Sequence, residues 1–143
     1  MYKRQDIKNE IDRMVREEKL SLKQAECIKL KDIDTFAGSS IGERIKRAYA
    51  YGGVKREQPF VFEYDRQLVQ GVIDLYFIED GQLVIVDYKT DRVLRGRAGE
   101  DELRRRYSIQ LDYYAMALSQ ITGLKVKEKV IYSFALGRSL TVE

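Results

Sequence analysis

"VIVDYKT", Val84 to Thr90, decides the fold. It opens as the β-branched apolar run of a strand buried on at least one side. It then ends in an acid, Asp87, and a base, Lys89, two residues apart. Side chains alternate faces along a strand, so these two point the same way. Charged groups are rarely fully buried without partners, so a core strand that aims both at one spot calls for an explanation. Upstream, "QLVQGVIDLYFI" (Gln67 to Ile78) reads as a longer strand, and Asp80–Gly81 in "EDGQ" is a strong hairpin signal before the chain returns antiparallel. "QPFVFEYD" (Gln58 to Asp65) alternates and is rich in aromatics, so Glu57 to Thr90 forms a three-stranded meander.

Downstream, an arginine-rich loop leads into a helix from about Glu100 to Thr122. Leu103, Tyr107, Leu111, Tyr114 and Leu118 keep helical spacing there, and Gly123 terminates it. "VKEKVIYSFAL" (Val126 to Leu136) is the last strand. The first fifty residues read as helical. Ile7, Ile11, Met14 and Val15 recur at helical spacing, "SLKQ" (Ser21 to Gln24) resembles a capping box, and "SIGE" (Ser40 to Glu43) opens a third helix running towards Ala48. The doublet Gly52–Gly53 breaks the pattern. Helices, three strands, a long helix and a strand make an α+β domain with a mixed central sheet flanked by helices. Residues 1–49 form its helical part and residues 50–143 its core, in a single domain overall.

Composition narrows the chemistry. With 143 residues the chain can enclose one core, and 44% hydrophobic with 34% charged residues is a soluble, globular balance. No apolar run approaches the roughly 18 residues of a membrane span, and the N-terminus lacks the apolar core of a signal peptide. A single cysteine, Cys27, rules out an internal disulfide and a four-cysteine cluster, and fits a small apolar side chain in a reducing cytoplasm. There is no histidine, so a metal here must be held mainly by oxygen, which favours magnesium, manganese or calcium. The net charge of +3 is weak evidence for a polyanionic partner. Six arginines between Arg92 and Arg106 add to it, although such a run is also what a solvated loop and helix start look like.

The neighbouring strand carries Asp74 in the apolar stretch "GVIDLYF". In a hairpin turning at Asp80–Gly81, Asp74 and Asp87 stand at similar distances from the turn and can face one another. Two like charges that close are kept because one is protonated, because a cation sits between them, or because both splay into solvent. A divalent cation explains the placement, and Lys89 then completes a phosphate-handling site. The bland alternative is an acid–x–lysine at an exposed hairpin end. In "SIQLDYYAMAL", Gln110 and Tyr114 share a helix face, which by itself is more often a core-edge aromatic beside a polar neighbour.

"GVIDLYF", "VIVDYKT" and "QLDYYAMAL", in this order and preceded by "REQPFVFEYD", resemble the RecB-type nuclease branch of the PD-(D/E)XK superfamily. Within it they are most similar to the C-terminal nuclease domain of the large subunit of AddAB-type helicase–nucleases. The resemblance runs from about Ile33 to the C-terminus and includes the prelude "IDTFAGSSIGERIKRA". It implies a restriction-endonuclease-like fold and metal-dependent hydrolysis of DNA to 5′-phosphate and 3′-hydroxyl ends, in double-strand-break repair beside a helicase. It implies Asp74, Asp87 and the Tyr88 carbonyl as ligands of magnesium (or manganese), and Lys89 as the catalytic lysine. Gln110 and Tyr114 match the Gln-xxx-Tyr motif that positions the nucleic-acid backbone. Glu57 matches a recurrent position to which no role is assigned. The partners implied are DNA, a second subunit and the remainder of a helicase–nuclease chain, with no membrane and no iron–sulfur cluster. The branch's upstream metal-binding histidine has no counterpart here, so the chain reads as a fragment of a longer protein, with feeble activity alone. The other reading is a non-catalytic nucleic-acid-binding or docking module that keeps the fold. A small-molecule phosphodiesterase is a third, which the arginines argue against.

Overall fold

The structure, a computed structural model, describes residues 30–143. The expected helices around Ile7–Val15 and Ser21–Gln24, and Cys27, lie outside the described residues. The elements run α1 (Leu30–Ala37), α2 (Ser40–Ala50), β1 (Val54–Tyr64), β2 (Gln67–Glu79), β3 (Gln82–Lys89), α3 (Arg97–Thr122), β4 (Val126–Ser133) and β5 (Arg138–Val142). The strands form one sheet in sequential order. Neighbours are antiparallel except β3 and β4, which are parallel, so the sheet is mixed as expected. A parallel pair needs a long crossover, and α3 supplies it.

Period-two alternation sends the two faces of β3 to two different cores. Val84 and Val86 pack with Ile33, Phe36, Ile41 and Ile45 of α1 and α2. Leu83 and Ile85 pack with Leu103, Leu111, Tyr114 and Leu118 of α3. Asp87 and Lys89 continue the second series, so β3 delivers them beneath α3. The helical segment is part of the same body, because Phe36 stacks edge-on against Tyr88 and Tyr132 of the sheet. Among the described residues no helix is long and apolar enough to cross a membrane.

Four details differ from the sequence reading. The last expected strand, Val126 to Leu136, is two: β4 ends at Ser133, the chain turns, and β5 returns. Gly137 makes that turn at φ 67°, and its N–H donates to the Ser133 carbonyl at 2.8 Å. The apolar "SFAL" hid the break. The long helix begins at Arg97, not near Glu100, and β1 begins at Val54, not Gln58. The cap of α2 is Ser39, whose hydroxyl accepts from Gly42 N–H at 3.1 Å.

Candidate active site

The β2–β3 ladder closes at Leu75↔Val86. One step further, Asp74 lies opposite Asp87, as the hairpin arithmetic required. The β1–β2 ladder also skips Asp74: Arg56 pairs with Leu75 and Gln58 with Ile73. Glu57, between them, takes the left-handed backbone at φ 47°, a conformation a non-glycine residue adopts only under constraint. Asp74 is thus passed over by both neighbouring strands. Its side chain substitutes for the missing ladder bond, with Oδ2 accepting from Tyr88 N–H at 2.9 Å.

Asp87 is buried, with 2% of its surface exposed. Its carboxyl group lies within hydrogen-bonding reach of Asp74. Oδ2 of Asp87 accepts no hydrogen bond among the described residues, although the Lys89 ammonium stands 2.9 Å away. That contact is therefore charge attraction off the hydrogen-bond direction. Burial, then the Asp87 charge, hold the Asp74 carboxyl well above the usual range; the Tyr88 N–H and Lys89 offset this only in part. Asp74 retains some exposed surface, but protein surrounds the carboxyl closely enough for desolvation to lead.

α3 closes the site from above. Gln110 Oε1 accepts from Lys89 Nζ at 3.1 Å. The Gln110 side chain also lies beside the Tyr114 hydroxyl, one turn further along α3. Tyr114 is buried, its ring edge-on to Phe60 at 5.5 Å. Burial, with the charges of Asp87 and Asp74, pushes its hydroxyl far up, so it stays protonated. The Tyr88 side chain faces the other core, against Phe36, which leaves its backbone as the part turned to this site. Asp74, Asp87, Lys89, Gln110 and Tyr114 are all brought together.

Two further residues join them that sequence reading did not single out for this site. The Tyr107 ring lies under Lys89, with Nζ 4.0 Å from the centroid. Its hydroxyl donates to Asp91 Oδ2 at 2.6 Å. Tyr107 precedes Gln110 by three positions and so shares its face, a signal that was readable. Nothing near Asp91 announces a partner sixteen residues away.

The donor set suits a hard divalent cation. Two carboxylates are crowded in a poorly hydrated site with one ammonium, and a divalent ion between them would relieve the repulsion. Among the described residues no group of three or more acidic, histidine or cysteine side chains is placed to hold a metal, so Glu57, though opposite Asp74, does not complete one.

The arginines divide. Arg104 pairs with Asp101 and donates to the Thr141 carbonyl, and Arg106 pairs with Asp91 and Glu102. Arg97 reaches Asp101 at 3.8 Å. Arg92, Arg95 and Arg105 are exposed and form no ion pair among the described residues. The run from Arg104 to Arg106 is therefore mostly engaged within the fold, and of the six arginines those left without an ion pair among the described residues are Arg92 and Arg95 on the loop before α3 and Arg105 on the helix. Gly99 holds that loop close: a Cβ there would stand 1.7 Å from the Leu94 carbonyl oxygen.

The sequence profile of the PD-(D/E)XK nuclease superfamily matches residues 3–140. An ATP-dependent helicase/nuclease subunit from Acetivibrio thermocellus is 39% identical over 155 residues, covering 97% of this chain and 12% of the relative. One from a Thermoanaerobacter species is 40% identical over 149 residues, covering 94% and 12%. One from Clostridium novyi is 34% identical over 146 residues, covering 91% and 11%. The chain spans about an eighth of the length of these relatives.

Proposed function

The chain belongs to the PD-(D/E)XK nuclease superfamily, and from that premise we propose that it is a magnesium-dependent deoxyribonuclease domain. The observation that carries this reading is the buried Asp74–Asp87 pair with Lys89 2.9 Å from Asp87. Asp74, Asp87 and the Tyr88 carbonyl would hold the ion, and the same oxygen set suits manganese. A divalent ion held there would supply a water nucleophilic near neutral pH and positive charge against the phosphate.

The protein's own groups do the rest. Asp74 and Asp87 must both be ionised to bind the ion, and the Tyr88 N–H keeps Asp74 turned inward. Lys89 donates to the attacked phosphate or to the entering water, where positive charge is worth most as negative charge develops. Gln110 fixes the lysine, and the protonated Tyr114 hydroxyl is a donor for the DNA backbone. Arg92, Arg95 and Arg105 hold the strand by its phosphates.

In the whole protein this domain works as an exonuclease beside ATP-driven helicase parts and a second subunit, processing DNA double-strand breaks in the cytoplasm. The relatives' names, as subunits of ATP-dependent helicase/nucleases, support that extension. The nuclease core is assigned to residues 50–143, preceded by an N-terminal part that includes α1 and α2.

The test is magnesium titration with end-labelled linear DNA. Wild type cleaves as magnesium rises, and Asp87→Ala does not, while its circular dichroism stays that of wild type. Equal cleavage by Asp87→Ala would sink the site assignment. DNA bound but never cut by wild type, at any magnesium or manganese concentration, would identify a docking module.

A further inference from the structure

We infer that Tyr107 is a positioning residue for Lys89: its ring face, anchored through Asp91 and Arg106, holds the ammonium over the site without neutralising it. This rests on the role proposed for Lys89. An ammonium has three N–H donors. Here one side of Lys89 meets Asp87 at 2.9 Å, another meets Gln110 at 3.1 Å, and the Tyr107 centroid lies 4.0 Å from Nζ. That last distance is well inside the range of a cation–π contact. Asp87 has a competing task, because a cation between the two acids draws on the same carboxylate. Whatever keeps Lys89 in place then must be neutral. Gln110 and the Tyr107 face both are, and neither cancels the charge that a phosphate would meet.

The ring is itself held at its far end. Its hydroxyl donates to Asp91 Oδ2 at 2.6 Å, and the same oxygen accepts from Arg106 Nη1 at 2.9 Å. Arg106 is tied in turn to Glu102 at 2.5 Å. A phenol donating to a carboxylate gains electron density in its ring, which strengthens the face towards a cation. Asp91 follows Lys89 by two residues, so the chain of contacts runs from the end of β3 to α3 and back, setting the height of the lysine above the sheet.

Two readouts test this, one independent of cleavage. Carbon-13-resolved NMR of the wild type should show the Lys89 ε-methylene protons shifted upfield by the Tyr107 ring, a shift kept in Tyr107→Phe and lost in Tyr107→Leu. In cleavage assays Tyr107→Leu should lower kcat about tenfold with KM little changed, and Tyr107→Phe should recover most of that rate. In the Lys89→Ala background Tyr107→Leu should cost nothing more. Lys89 ε-protons at ordinary shifts in wild type would overturn the placement. The same tenfold loss in the Lys89→Ala background would make Tyr107 a scaffold residue only. A wild type that never cleaves DNA would refute the nuclease reading, and the ring shift would still decide whether Tyr107 holds Lys89.

Discussion

β2 carries two charge clusters, five residues apart, with opposite electrostatic character. At its hairpin end Glu79 takes a two-pronged contact from Arg44, at 3.0 and 2.8 Å, and a third from Lys127 at 2.8 Å. Arg44 also reaches Glu128 and lies over the Phe77 ring at 5.7 Å. Each charge there lowers the cost of its neighbours: Arg44 holds the Glu79 carboxyl down at about 2, and the two glutamates raise the arginine. Five residues earlier two acids share one lysine, in less water, and the Asp74 carboxyl is driven up. The first cluster is already satisfied by what the chain supplies. The second has acidic charge in excess, which the proposed cation would offset. The raised Asp74 carboxyl and the lowered Glu79 carboxyl thus mark the two clusters apart.

Substitutions should separate the two clusters. After the acids, whose loss should abolish cleavage, the largest effect belongs to Lys89. Lys89→Ala should lower magnesium-dependent cleavage on the order of 10²–10³-fold and leave magnesium binding in place, since the lysine is not a ligand. Calorimetric binding that vanished with the lysine would contradict this division.

At the hairpin end the effect is on stability alone. Arg44→Ala leaves two half-buried glutamates short of their partner and should cost about 2 kcal/mol in a denaturant titration, with cleavage per folded molecule unchanged. The pH dependence follows from Glu79. Its folded pKa is depressed, so its contribution is present above the ordinary carboxylate value of 4.5 and is lost as pH falls towards about 2. The gap between wild type and Arg44→Ala should therefore narrow over that window. A gap constant from pH 6 to pH 2 would mean that the pair contributes little.

Smallest is the effect of the arginines. Removing Arg92, Arg95 or Arg105 should each reduce the slope of log K against log salt for DNA binding by about one unit. Arg106→Ala should change it less, because its charge is already engaged by Asp91 and Glu102. An equal change for all four would mean that DNA displaces those internal pairs.

What the sequence disclosed follows from the range of each interaction. Asp74 and Asp87 could be placed face to face because both are counted from one tight turn, and strand alternation then settles where Asp87 and Lys89 point. Gln110 and Tyr114 could be read because helical spacing is local. The Asp91–Tyr107 contact crosses a loop whose path depends on Gly99 meeting the Leu94 carbonyl, and no periodicity encodes that. The left-handed Glu57 was equally hidden, since such a kink is usually marked by glycine. β5 was missed because the turn between Ser133 and Arg138 is written in apolar letters with one late glycine.

On the proposed function, Asp74 and Asp87 are held together for a divalent cation. Calorimetric titration of magnesium into the wild type and into the Asp74→Asn/Asp87→Asn double variant, both without DNA, tests it directly. Weak binding at one site is expected in the wild type, because few protein ligands leave the octahedron to be filled by water. No binding is expected in the double variant, whose metal-free fold should be at least as stable near neutral pH because the buried repulsion is gone. Equal magnesium binding by both proteins would contradict it.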